Sequence, residues 1–275
     1  MPPLVYLITG ANKGIGYEAA RILAEKLRDD AIVLLGTRSL KNGEDAIAKM
    51  KQANPSFDFA NVQLVEMDVS KKDSIQAAAT FVKAKYGHVH VLVNNAGIAG
   101  ASEGAVMCFQ VNVFGVLDTL AAFHSLLVPN ESINVVVGST VGAGVLSSMP
   151  SDLQAIFEDF NQLNETSVRS LTADWIAWAE GNPSKYTWPD ATTTFGVYGV
   201  SKTFVMAVTR KWAADHPDIK TVIACPGYCA TDLTNHAGYL SAADGGERIL
   251  FPIFNPDKTE SGKLYSEGNG HPFKL

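Results

Sequence analysis

Tyr198 and Lys202 stand one helical turn apart, in the run Tyr198-Gly199-Val200-Ser201-Lys202. At that spacing their side chains share one face. A phenol has an ordinary pKa of about 10, and drawing it to neutrality takes roughly 3 units, or about 4 kcal/mol of charge stabilisation. An ammonium on the same face can supply part of that by favouring the phenolate. Such a tyrosine can exchange a proton with an oxygen. Far earlier, Thr9-Gly10-Ala11-Asn12-Lys13-Gly14-Ile15-Gly16 follows an apolar run and opens a helical pattern, the setting in which a glycine turn holds a dinucleotide pyrophosphate. Glycines admit the ligand to the backbone, and the helix start offers unpaired N–H groups and a positive dipole end. The spacing differs from the commonest G-x-G-x-x-G fingerprint. A hydride carrier at one end and a proton carrier at the other point to interconversion of a carbonyl and an alcohol.

Other residues refine both ends. An NAD site usually places a carboxylate at the end of the second strand, about 20 residues past the glycines. This chain has Gly36-Thr37-Arg38 there. The Arg38 guanidinium can pair with a 2′-phosphate that a carboxylate would repel, and Lys13 can reach the same group, so the expected cofactor is NADP(H). Met67-Asp68-Val69 closes the third strand. Asp68 can accept from an adenine amino group or, with Ser70, cap the next helix; both readings stand. Asn94-Asn95-Ala96-Gly97 follows the fourth strand, where small residues let the backbone pass close to the adenosine ribose. At the other end, Ser139 can hydrogen-bond the carbonyl oxygen and stabilise developing alkoxide. Asn112 can hold a water that links Lys202 to solvent. Val141, Met149, Phe195 and Tyr228 are candidate pocket walls for a hydrophobic or aromatic substrate, with ordinary core packing the alternative for each.

Alternating elements must position these groups. Strand patterns cover residues 4–9, 31–36, 62–66, 89–93, 133–138 and 221–224, nearly all apolar, as strands covered on both faces require. Helical patterns cover 14–27, 42–52, 71–86, 105–127 and 198–215. This alternation predicts an α/β class chain: a single doubly wound parallel sheet, the Rossmann fold, in one domain spanning 1–275. The anomaly is the stretch 141–197, where roughly a dozen residues would suffice. It carries two amphipathic patterns, about 151–163 with Ser151 as N-cap and 165–179, and Trp175, Trp178 and Trp188 to pack them down. It is expected to be a helical insertion beside the catalytic tyrosine.

Composition sets bounds. The chain has 275 residues, 47% hydrophobic, with a formal net charge of −6, which gives no support for nucleic-acid or anionic-membrane binding. Three cysteines, Cys108, Cys225 and Cys229, are too few for a disulfide framework and fit a reducing compartment. Cys225 and Cys229 have no second pair at zinc spacing, so no metal is expected. Met1-Pro2-Pro3-Leu4 has no basic n-region and no long apolar h-region, and no stretch is expected to approach a membrane span. Phe273-Lys274-Leu275 only faintly matches a peroxisomal ending. A soluble, cytoplasmic chain is expected.

In combination, residues 9–16, 94–97, Asn112, Ser139, Tyr198 with Lys202, and Pro226-Gly227 followed by Thr231 resemble the short-chain dehydrogenase/reductases over about 4–266. Lys13 with Arg38 and the long insertion resemble its monomeric, NADPH-dependent carbonyl reductases. The resemblance implies a tetrad of Asn112, Ser139, Tyr198 and Lys202. It also implies that 226–231 covers the nicotinamide with Thr231 on its carboxamide, and that the insertion blocks dimerisation and leaves a monomer. The residues after Gly97 are small and lack bulk or charge to hold a glutathione adduct, so that site is not carried over. Gly199 stands where a larger side chain could line the pocket. The expected reaction is reduction of a ketone or aldehyde. Oxidation of a secondary alcohol by the same machinery, and a module that binds NADPH without turnover, are the alternatives.

Overall fold

The computed structural model describes residues 2–190 and 195–275. Its strands are β1 (Leu4–Ile8), β2 (Ala31–Thr37), β3 (Val62–Glu66), β4 (Val91–Asn94), β5 (Ile133–Val137), β6 (Lys220–Cys225), β7 (Leu264–Ser266) and β8 (Asn269–His271). The helices are α1 (Gly14–Leu27), α2 (Leu40–Ala53), α3 (Lys72–Tyr86), α4 (Ala105–Phe109), α5 (Gly115–Phe123), α6 (Thr140–Ser148), α7 (Ser151–Glu158), α8 (Glu165–Ala179), α9 (Gly196–Asp215) and α10 (Ala242–Phe254). The strands form one sheet in the order β3-β2-β1-β4-β5-β6-β7-β8, parallel except for the β7–β8 hairpin. β1 pairs with both β2 and β4. The winding therefore reverses there, and a crevice opens past the C-terminal strand ends.

Apolar strands bury both faces. One core layer joins Leu7, Leu34 and Leu92 to α3, α5 and α9, and a second joins Ile8, Val33 and Val93 to α1 and α10. The doubly wound α/β expectation holds. Its edges move: β1 ends at Ile8 and β4 starts at Val91, while α10, β7 and β8 had no counterpart in the sequence reading. The 105–127 pattern is broken by a π-turn over Gln110–Phe114 between α4 and α5. Ala105–Leu126, with a mean hydropathy of 1.6, is long and apolar enough to cross a membrane, which corrects the expectation that no stretch is. Burial explains its composition: Phe109, Val113, Leu120 and Phe123 lie in the core.

The insertion is helical, with three helices where two were expected. α6 starts directly after Ser139. The N-cap position of α7 falls on Pro150, one residue before the expected Ser151, with no side-chain cap, and α7 stops at Glu158 short of residue 163. Asn164 caps α8 through a reciprocal box with Ser167. Phe157 and Trp188 pack on Phe204 of α9, with ring centroids 4.9 and 6.1 Å apart, and Trp175 packs on Phe109 at 5.5 Å. Asp174 ties the returning segment after α8, accepting from the Tyr186 backbone and the Trp188 indole. Residues 191–194 of the insertion lie outside the described residues.

Candidate active site

β1 delivers Thr9 to the crevice. Its hydroxyl oxygen accepts from the backbone N–H groups of Asn95 and Ala96, both at 3.0 Å. The Asn95 amide donates to the carbonyls of Thr9 and Gly10 at 2.9 and 3.2 Å. The 94–97 segment is thereby tied onto the glycine turn. Gly10 has a φ of +63°, and a Cβ there would lie 2.9 Å from Ala96 Cα, so no other residue fits. α1 begins at Gly14 from an extended Lys13 that makes no side-chain cap, and its first turn holds no acidic residue. Its leading N–H groups are left for an outside acceptor in a field that favours anions. Asn12, Ile15 and Gly16 complete this turn. Thr231 packs over it, its Cγ2 3.6 Å from where a Gly14 Cβ would stand. The segment of Pro226, Gly227 and Thr231 thus folds across the turn, and the residues present fit a dinucleotide.

The charges around this cradle are less uniform than expected. Arg38 is exposed just past β2. Lys13 is exposed too, but its Nζ pairs with Asp232 Oδ2 at 2.7 Å, and Asp232 also holds His236 at 3.2 Å. Reaching a 2′-phosphate requires Lys13 to leave that carboxylate. Asp68 does not cap α3, whose N-cap is Lys71 with no side-chain cap: its Oδ1 accepts from the Ser70 N–H and hydroxyl in the turn before the helix, and Oδ2 stands 3.3 Å from Lys71. Those hydrogen bonds hold its carboxyl below the usual range despite partial burial. Val69, a candidate cofactor contact, is part of the core and lies against Gly115 of α5.

At the chemical end, β5 carries Ser139 to its tip, where the residue caps α6 by accepting from Val141 N at 3.2 Å. α6 lies against α9 at Gly142, where a Cβ would stand 2.7 Å from the Lys202 backbone, and Thr203 donates to the Gly142 carbonyl at 2.8 Å. This close packing brings the Ser139 and Tyr198 side chains together, near enough for the Ser139 hydroxyl to favour the phenolate. Lys202 is buried, donates to the Val137 carbonyl at 2.8 Å, and stands 5.7 Å from the centre of the Tyr198 ring. Burial pushes the ammonium down to about 8. Burial also pushes the phenol above its ordinary value, with the Ser139 hydroxyl pulling the other way. This differs from the expectation that Lys202 draws the phenol toward neutrality. The lysine sits beside the ring and donates to a carbonyl, and desolvation outweighs its charge. A phenol so held keeps its proton.

Asn112 sits in the π-turn, accepts from Ile98 N and donates to Ile98 O and Ser201 Oγ, all at 2.9 Å. Asn112 and Lys202 converge on Gly97, whose Cβ would lie 3.4 Å from Asn112 Oδ1 and 3.9 Å from Lys202 Nζ. Sequence reasoning gave Ser201 no role, although it stands three residues past Tyr198. It donates to the Tyr198 carbonyl at 2.7 Å and so links Asn112 to the tyrosine's own turn. Cys225, read as a buried thiol, accepts from Thr140 N at 3.4 Å. Among the described residues no cluster of His, Cys, Asp or Glu could hold a metal.

A cavity of about 630 Å³ lies along α6, with Val141 and Phe195 among its walls. Two other expected walls are elsewhere. Met149 is 3% exposed and built into the core beside Leu153, because the chain turns inward between α6 and α7. Tyr228 stands half-exposed against Tyr239, on the segment that crosses the glycine turn.

A family model described as short chain dehydrogenase matches residues 4–151. Short-chain dehydrogenase/reductase 1 of Saponaria officinalis is 30% identical, over 98% of this chain and 95% of its own length. The NADPH carbonyl reductase 3 of Rattus norvegicus is 28% identical over 93% of each chain. The solved structure of salutaridine reductase from Papaver somniferum has a TM-score of 0.82 at 24% identity, covering 95% of this chain and 99% of that one; this likeness speaks to fold alone.

Proposed function

Since the chain belongs to the short-chain dehydrogenase family and is an oxidoreductase of the carbonyl reductase kind, we propose that it reduces a ketone or aldehyde to the alcohol with NADPH. The observation that carries this reading is the placement of Ser139, Tyr198 and Lys202 together, with the Lys202 ammonium buried and 5.7 Å from the centre of the Tyr198 ring. The bound coenzyme supplies the hydride to the carbonyl carbon. Ser139 and Tyr198 hold the carbonyl oxygen between two hydroxyls, and Tyr198 gives up its proton as negative charge develops there. Lys202 stabilises the phenolate left behind, in a site dry enough for that charge to count. Asn112 fixes the 98–112 wall and the start of the tyrosine's helix through Ser201.

For the coenzyme, Gly10, Asn12, Gly14, Ile15 and Gly16 would take the pyrophosphate, and Asn95, Ala96 and Gly97 would back the adenosine ribose. Arg38 and a released Lys13 would take the 2′-phosphate; a guanidinium in place of the usual carboxylate supports NADPH over NADH. Thr231 would hold the nicotinamide end. The same reading makes the protein a monomer, because α7 and α8 cover α4 and α9. It also places the protein in the cytoplasm, a compartment that suits three free, buried cysteines. NADPH consumption across a panel of ketones and aldehydes tests the proposal. Turnover of a carbonyl compound is expected; tight NADPH binding with none consumed would leave a coenzyme-binding module.

A further inference from the structure

The Lys13 ammonium has two claimants. We propose that Asp232 competes with the coenzyme's 2′-phosphate for Lys13, and that it thereby weakens the hold on NADP(H) and hastens release of the spent coenzyme. The inference rests on the NADPH reading above, which gives Lys13 a role and Asp232 none.

The contest lies where a 2′-phosphate is expected. Lys13 immediately precedes α1, on extended backbone. Ala11 N donates to the Gly36 carbonyl at 2.9 Å, which seats the glycine turn against the end of β2. Arg38 follows Gly36 by two residues, so both cations border that corner. Lys13 Nζ is already engaged there, 2.7 Å from Asp232 Oδ2. The ion pair runs from the glycine turn to the segment folded across it, beside the contact of Thr231 with Gly14.

Of the two partners, Asp232 is the one held in place. It opens a 3₁₀ turn, Asp232–Thr234, closed by a reciprocal box between Thr231 and Thr234. Thr234 also donates to the Cys229 carbonyl at 2.6 Å, and His236 N to the Thr231 carbonyl at 2.9 Å. The carboxylate's other oxygen lies 3.2 Å from His236 Nε2. Lys13 is a flexible stem, 65% exposed, and is therefore the partner that moves. Its hydrogen bond and charge hold the Asp232 carboxyl below the usual range, so an anion is present to compete at neutral pH.

A phosphate monoester carries nearly two negative charges at that pH, against one on a carboxylate. Lys13 therefore gains by exchanging Asp232 for a 2′-phosphate, and a 2′-hydroxyl offers it no such gain. After the exchange, Asp232 is left beside a second anion. The broken pair and this repulsion both count against NADP(H) and leave NAD(H) untouched. As the coenzyme leaves, Asp232 takes the ammonium back. The pair is exposed on both sides, 65% and 58%, so the effect on an equilibrium is about fivefold at most.

Calorimetric dissociation constants for NADP⁺ and NAD⁺, which differ only at the 2′ position, test this. Release is timed by chasing bound NADP⁺ with excess NADPH and following its fluorescence. Asp232→Asn should tighten NADP⁺ about threefold to fivefold and slow its release by a similar factor. NAD⁺ affinity and Tm should stay at the parent's values. Lys13→Met should weaken NADP⁺, and on that background the gain from Asp232→Asn should fall below roughly twofold. NADP⁺ bound by Asp232→Asn no tighter than by the parent, or a gain that survives Lys13→Met in full, would overturn this proposal alone. A parent that binds NADP⁺ no tighter than NAD⁺ would overturn the NADPH reading and this proposal with it.

Discussion

Lys202 costs the fold stability. Burial holds its ammonium near 8 where an unfolded lysine titrates near 10.5, so the unfolded chain binds the proton more tightly between those values. Stability therefore rises with pH across that window, and the full penalty applies below pH 8. It amounts to about 3 kcal/mol, offset by about 1 kcal/mol from the bond to Val137. Lys202→Met should accordingly raise Tm by several degrees at pH 7, the gain shrinking toward pH 10, while reduction is lost. Thermal scans at both pH values check it; a lower Tm at pH 7 would contradict the burial account. On the proposed function, the coenzyme choice would rest on Arg38, one charge at a strand end. Arg38→Asp should weaken NADPH binding tenfold or more and favour NADH, read from the two dissociation constants; an unchanged ratio would remove its role. That Tyr198, Lys202 and Ser139 come together was legible because they combine chemistry with position. Ser201 was not, since its role depends on a π-turn that brings Asn112 across to it, and hydrophobic periodicity cannot register an added residue in a turn.

At the scale of elements, the parallel strands were legible because continuous β-branched runs of that length leave few options. α6 was hidden by its composition. Thr140-Val141-Gly142-Ala143-Gly144-Val145 has two glycines and β-branched neighbours, and reads as loop. The Ser139 cap and the close seat against α9 make it helical. α10 carries an internal Pro252, and β7 and β8 are three residues each, too short for alternation to speak. The insertion helices owe their place to aromatic packing, which can be broken at one residue. Phe157 is buried between Trp188 and Phe204. Phe157→Ala should cost about 3–5 kcal/mol, measured by urea unfolding of the full chain. A loss below 1 kcal/mol would show that α7 is not part of the cooperative core.

Across the whole molecule, the sheet reverses its winding between β1 and β4 and brings the glycine turn, the 94–97 segment and the Ser139 tip to one edge. That convergence follows from strand order, which local sequence patterns could only imply through the alternation of elements. The insertion then covers helices that would otherwise present apolar faces to water. Deleting residues 149–187 should uncover Phe109 and Phe204 and drive the protein to dimers or larger species in light scattering. A soluble monomer after that deletion would contradict the covering role.

The account turns on one proton. Tyr198→Phe removes the hydroxyl and keeps the ring that packs in the site. The decisive measurement is kcat for ketone reduction by Tyr198→Phe, with NADPH affinity and Tm taken on the same preparation. The account predicts a fall of about a hundredfold to ten-thousandfold, with coenzyme binding and Tm near those of the parent. A folded, coenzyme-loaded Tyr198→Phe protein turning over at the parent's rate would contradict it.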